Sequence, residues 1–578
     1  MPAGAFVILD AIPPSRENDM KNSPRLLVAL AFLVTALLAQ LPASAQRTSP
    51  ATPPVSPQTV LADGKPRVLY TDLVAGPIKG GENDLGAYIS IFGFNFGTDA
   101  RQARVFFGDK EAAAYRYFGP SRGRSDVWQI TVQPGAIGTG TLPVRVEVNG
   151  VASNADHTFM VNPGDILFVD NVDGNDLFAS ANKISKPWRH LQTPSRGGAI
   201  TAARPGDVIV LRGKSVWRDI GYDNRWARLR DSTGSQPTGK KGTGYIAIVA
   251  YPGEDVHYVP PPRTAGGIQG VGDGFEQYAD WLVISGLHIE SDAHSLSDGA
   301  PVNLQVASDH WRVVNNEIGP WPAAPDAKDK AGGVVGNGEF LSVLGNHIHD
   351  IGGGTENHGI YLDSGTHDVE IAWNHIHHVT EGNLVQTFDN LGDHVLRDID
   401  IHHNLIHDGG RYGLNIADGT EVVHAWNNLI YDTAYAGIRL NVATSPDALM
   451  VFEHNTLYNV CNHPRREPGA IENTWTVKLG SIVIRNNIVA ASGDCEQGYD
   501  NDGTDTAIRL AGNLFHGFKL PERDPLAKAA DPLFVDAARR DLRLTHGSPA
   551  IDAAVGSNIK DDYRGNTRTH ADVGAYEF

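Results

Sequence analysis

A chain of 578 residues exceeds one ordinary domain, so it must hold several units or one elongated repeat. Its 41% hydrophobic and 20% charged residues fit a folded protein, and its 63 glycines and 34 prolines imply many turns and short strands. A formal charge of −19 excludes general nucleic-acid binding, because phosphate needs a basic surface, and makes any polyanionic ligand depend on locally concentrated positive charge.

At the start of the chain, Lys21 and Arg25 precede the apolar run Leu26–Leu41, followed by the small residues of "ASAQ". This order predicts a secretory signal over residues 1–45, cleaved after Ala45, with translation beginning at Met20. The run is short for a membrane span, and no later stretch is apolar enough to cross a bilayer. The expectation is a secreted or periplasmic monomer with no membrane span once the signal is removed. Residues 46–65, rich in Pro, Ser and Thr, read as a linker.

From Pro66 to Asn162 short alternating segments follow one another: "AYISIFGFNFG", "ARVFFGD", "VWQITVQPG" and "LPVRVEVNG". The "GxNFG" turn at Gly93–Gly97, the "VxFG" at Val105–Gly108 and the "VxVNG" at Val146–Gly150 resemble an IPT/TIG immunoglobulin-like sandwich. Modules of that family mostly space or bind, and no catalytic set is visible in residues 66–162.

Beyond Asp165 the organising signal is repetition. An Asn followed two residues later by an aliphatic recurs at Asn316, Asn346, Asn374, Asn404, Asn428, Asn455, Asn487 and Asn513, in steps of 24 to 32 residues. The stretch "ISGLHIES" (Ile284–Ser291) fits one step earlier, with Leu287 in the Asn position. A parallel β-helix accounts for this. Like positions stack about 4.8 Å apart on successive coils, so a buried Asn can hydrogen-bond to its copies above and below. The chain resembles the right-handed parallel β-helix superfamily that includes pectate lyases. The resemblance implies an all-β solenoid over residues 165–530, preceded by the sandwich and closed by a C-terminal end module at 531–578. Phe168–Gly213 looks like the opening coil of such solenoids, and "DPLFVDAARRDLRLTHGSPAIDAAV…DVGAYEF" looks like their end module. Cys461 lies six residues after Asn455 and Cys495 eight after Asn487, nearly the same place on adjacent coils, which predicts a disulfide.

The stretch from Asn357 to Val379 carries five histidines. Three residues after successive ladder Asn stand His349, His377, His407, Tyr431 and Tyr458. Replacement of His by Tyr in register favours an external aromatic stack over a metal centre, and no zinc motif such as HExxH occurs. His358 differs, because it opens the strand "HGIYLD". Matching strands put Tyr361, Gln386, Asn415, Arg439 and Glu472 in one outward column, with the register at Gln386 left open. Such varied polar residues suit a groove gripping a sugar chain, with Asp363 beside it. A second wall is expected from Lys214–Lys241, whose net charge is +4. There Trp217, Tyr222 and Trp226 would stack on sugar rings, while Arg225, Arg228 and Arg230 would pair with carboxylates. Trp321–Lys330 is expected to form a rim.

This pattern leads to an expectation of a polysaccharide lyase acting on a uronate-containing glycan by β-elimination, with His358 as base, Tyr361 as acid and Arg439 holding the carboxylate or serving as base. No counterpart of the pectate lyase calcium-Asp cluster or of the "DPHD" signature of alginate epimerases occurs. "DNDGTD" (Asp500–Asp505) resembles part of a calcium loop without its distal Glu, so Ca²⁺ stays unassigned. Two alternatives remain open: a glycoside hydrolase using a pair from Asp363, Asp389, Asp418 and Glu472, and a non-catalytic, adhesin-like glycan binder.

Overall fold

The computed structural model describes Thr59–Phe578 apart from short stretches at 222–224, 230–238, 241–243, 262–267, 271–279, 292–299, 305–307, 323–331, 391–395, 443–445, 464–467, 475–479, 491–493 and 502–506. The expected signal, most of the linker, Tyr222, Arg230, the Arg228 side chain, most of the Trp321–Lys330 rim and most of Asp500–Asp505 lie outside the described residues.

Arg67–Thr71, Ile89–Phe94, Trp128–Gln133 and Ala114–Pro120 form one antiparallel sheet of a sandwich. The second sheet is built around Ala103–Phe107 and Gly140–Val148. The "GFNFG" turn has a local cause. Asn95 takes a left-handed φ of 57°, and its amide donates to the Lys65 carbonyl and accepts from the Leu61 N–H, holding the incoming chain.

The rest of the chain winds through three parallel sheets. Among the described residues the first has twelve strands, from Ile166–Val169 to Ile508–Ala511; the second has ten, from Ala227–Leu229 to Gln497–Asn501; the third has eleven, from Val256–Tyr258 to Lys528–Ala529. Every ladder pair in these sheets joins one coil to the next, as a parallel β-helix requires. Aliphatic side chains pointing inward make one continuous core along the coils.

The first strands of the first sheet, "ILFV", "VIVL" and "IAIVA", are apolar at nearly every position because both faces are covered. Leu167, Ile209 and Ile248 point into the solenoid, while Phe168, Val210 and Val249 share a core with Val105, Val132 and Phe159 of the sandwich. The sandwich therefore packs directly on the solenoid. Polar contacts fix it there: Arg312 donates to the Thr71 and Asp72 carbonyls, and Arg122 pairs with Glu317 at 2.9 Å. Arg124, 1% exposed, pairs with Asp126, donates to the carbonyls of His403 and Tyr563 and lies 3.5 Å from the Tyr563 ring centre. Sandwich, solenoid and end module thus meet at one guanidinium.

Between the first and third sheets the chain bends in the same way on each coil. The residue before each ladder position has a left-handed φ: Gly286, Asn315, Gly345, Trp373, His403, Asn427, His454, Asn486 and Gly512. A left-handed Trp or His costs on the order of 1 kcal/mol, and the Asn that follows offsets it. Asn404 shows the pattern. Its amide donates to the Ile371 carbonyl and to Asn428 Oδ1, while its own Oδ1 accepts from the N–H and the amide of Asn374. The same bonds run unbroken from Asn316 to Asn513. At the last coil Asp524 takes the place of the next Asn, its carboxylate accepting from the N–H and the amide of Asn513. The expected disulfide is present, Cys461 to Cys495 with Cα atoms 5.3 Å apart.

Candidate functional site

The second sheet carries the polar column. Tyr361 pairs with Gln386, Gln386 with Asn415, Asn415 with Arg439, and Arg439 with Glu472, which settles the register at Gln386. Val335 precedes Tyr361 and Asp500 follows Glu472. Near Tyr361 the face sinks into a cleft of about 770 Å³, lined by His358, Tyr361, Asp363, Gln386, Arg411 and Asn415 among others.

His358 is 3% exposed. The next coil passes unusually close behind it, because a Cβ at Gly382 would collide with the Asn357 carbonyl. That approach brings the Asn383 N–H to 3.0 Å from His358 Nδ1, which accepts it. Burial, with the Arg411 charge adding to it, lowers the His358 pKa to about 4. The ring is therefore neutral at neutral pH, its single proton on Nε2. With Nδ1 accepting this bond, His358 offers an Nε2–H donor to the cleft it lines.

Tyr361 packs against the His358 ring, 5.4 Å between centres. Its hydroxyl accepts from the Asn390 amide at 2.6 Å, and burial, followed by the Asp363 charge, raises its pKa beyond the usual phenol range. It is therefore protonated at neutral pH. Asp363 is already supplied with donors, from Ser364 and from Asn390. Gln386 accepts from the amides of Asn383 and Asn415. Asn415 Oδ1 is buried with no hydrogen-bond partner among the described residues.

Arg439 does not join this group. Three rungs, roughly 14 Å at the spacing of stacked strands, separate it from Tyr361. It stands 3.7 Å from Glu472 and over the Tyr412 ring. The guanidinium lining the cleft is Arg411, which the sequence reading missed. It sits in the turn before its strand and so falls outside the rung positions that the repeat aligns.

The expected second wall is also corrected. Trp217 and Trp226 are both fully buried; Trp226 stacks on Tyr258 at 4.3 Å and Trp217 packs against Trp226. They plug the core of the first coils and offer no face to a sugar. Arg225 is half-buried near Gly221, and no described residue of Lys214–Lys241 lines the cleft. Trp321 is likewise buried. Of the four carboxylates named for hydrolysis, Asp363 lines the cleft and Glu472 lies a fourth rung away, paired with Arg439. Glu356 lines the cleft as well. Among the described residues no cluster of three His, Cys, Asp or Glu side chains lines it.

On the third sheet the outward aromatic stack is present. His349, His377, His407 and Tyr431 lie face to face, with ring centres 4.7 to 5.5 Å apart.

Residues 76–160 match the IPT/TIG domain. No curated protein matches the chain. Solved structures with a similar fold include the A-module of the Azotobacter vinelandii mannuronan C-5 epimerase AlgE4, at 15% identity over 64% of this chain and 91% of that one, TM-score 0.40. The PL6 family alginate lyase AlyGC is 15% identical over 65% of this chain and 56% of that one, TM-score 0.34. A rhamnogalacturonan lyase is 12% identical over 64% and 85%, TM-score 0.27. At such identities and scores the likeness concerns the solenoid and carries no argument about activity.

Proposed function

We propose that the protein acts on polysaccharides and is a lyase cleaving a uronate-containing glycan by β-elimination. The observation that carries this reading is a cleft in which one cation, Arg411, one neutral donor, His358, and one protonated phenol, Tyr361, converge on the polar column of a parallel sheet. Elimination needs the substrate carboxylate neutralised so that the proton on C5 becomes acidic. Arg411 suits that task by charge, with His358 Nε2–H as a second donor. The phenol of Tyr361 delivers its proton to the departing glycosidic oxygen as the C4–O bond breaks and the C4–C5 double bond forms. The C5 proton passes to Glu356, the cleft carboxylate whose one described hydrogen bond is a long one from Thr355. Gln386 and Asn415 continue the track for neighbouring sugars.

The disulfide supports an oxidising compartment, in keeping with the predicted secretory signal. No helix among the described residues is long and apolar enough to cross a membrane.

The deciding experiment incubates the mature protein with a panel of acidic and neutral polysaccharides and follows both the ultraviolet absorbance of unsaturated uronide ends and the release of reducing sugar. Unsaturated ends from a polyuronate support the lyase. Reducing sugar without unsaturation overturns it in favour of hydrolysis by Glu356 and Asp363, both of which line the cleft. Binding without turnover leaves a glycan-binding protein.

A further inference from the structure

The third sheet holds a group of side chains that the catalytic reading does not use. Beside the stack of His349, His377 and His407 runs a second outward column, His347 and His375, which continues as Leu405 and Leu429. The two columns lean together edge to edge. His347 Nε2 lies 2.8 Å from His377 Nε2, and His375 Nε2 lies 2.7 Å from His407 Nε2. A ring nitrogen from each of His347, His375 and His377 falls within 4.8 Å of the other two.

We propose that His347, His375 and His377 bind a transition-metal ion of the zinc type, with His407 within reach as a fourth ligand. The donor set fits. Imidazole nitrogens suit Zn²⁺, Ni²⁺, Cu²⁺ and Co²⁺ and suit Ca²⁺ poorly. Metal–nitrogen bonds of about 2.0–2.1 Å in a tetrahedron put the nitrogens about 3.4 Å apart. The His347–His377 pair, 2.8 Å apart, would open by about half an ångström to reach that spacing. For the fourth ligand a supporting group is already in place, because His407 Nδ1 donates to Asp408 at 2.7 Å. That carboxylate holds the proton on Nδ1 and leaves Nε2 free, the arrangement that orients histidine ligands in metal sites. Without an ion, the close nitrogen pairs are N–H···N hydrogen bonds. The ion would tie together coils that the Asn ladder joins from inside, on a face of the solenoid other than the one holding the cleft.

The test uses the untagged full chain, freed of metal with a chelator and then titrated with Zn²⁺ against a competing chromophoric chelator, and with Co²⁺ followed by its visible absorption. The proposal expects one Zn²⁺ per chain with sub-micromolar affinity, intense tetrahedral Co²⁺ bands and a higher Tm in the metal-bound form. Suitable variants are His347→Leu with His375→Leu, and separately His377→Tyr. Each copies a residue that already occupies the same column, at Leu405, Leu429 or Tyr431, so the fold tolerates it. Either variant should weaken Zn²⁺ binding by about 100-fold or more while leaving the metal-free Tm near that of the parent. No stoichiometric binding by the parent chain, or unchanged binding by both variants, overturns the site.

Discussion

Two columns of polar side chains run along the solenoid, and they follow opposite rules. The inner one repeats a single residue, Asn, on eight described coils, and each amide is bonded to the coil before and the coil after. The outer one changes residue at every rung, from Tyr361 through Gln386, Asn415 and Arg439 to Glu472, and among the described residues gives Asn415 Oδ1 no partner. Repetition is the mark of a part that satisfies itself. Variation with open hydrogen-bonding capacity is the mark of a part that waits for something else.

The comparison can be broken most forcefully from the inside. Asn404→Leu strands the N–H and amide of Asn374 in the core and removes the amide that donates to the Ile371 carbonyl and to Asn428 Oδ1, and should cost on the order of 4 kcal/mol in urea unfolding. A loss below 1 kcal/mol would show that the ladder is decoration. Replacing both Cys461 and Cys495 with Ser frees a loop of 34 residues and should cost roughly 3 kcal/mol by the same measurement. The outer column should respond differently. Tyr361→Phe is expected to lower turnover about 100-fold or more on the substrate identified, with Tm shifted by no more than a degree or two. Full activity in that variant would remove the phenol from the chemistry.

The smallest effect separates a satisfied outward carboxylate from the cleft. Burial opposes ionisation of Glu453, but hydrogen bonds from His424 and Arg485 outweigh it and hold its pKa at about 2, below its ordinary 4.5. Because the folded value is depressed, the stability it contributes is present above pH 4.5 and fades as the pH falls toward 2. Glu453→Gln should lose part of the acid-induced drop in stability over that window. An identical pH profile would show that the pairing contributes nothing.

The fold was readable because its cause is local and recurs. An Asn with an aliphatic two residues on, repeated at coil length, announces the ladder, and the apolar run of Val208–Leu211 belongs to a strand covered on both faces. The rung partners in the outer column followed from the same alignment. The site was less readable because its decisive contacts come from elsewhere in the coil. The proton on His358 is fixed by a backbone N–H 25 residues away, brought near by Gly382. Arg411 stands off the rungs, and an alignment on the repeat passes over it. Trp217 and Trp226 misled for a further reason: aromatic residues amid charges read as surface, yet the first coils needed large side chains to fill their open end.

Each Asn side chain both gives and receives, so in principle the stack has no natural stopping point and any exposed end could grow onto another molecule. Asp524 has acceptors only. Once Asn513 has donated to it, the relay has no donor to pass along, and the side-chain ladder ends at Asp524.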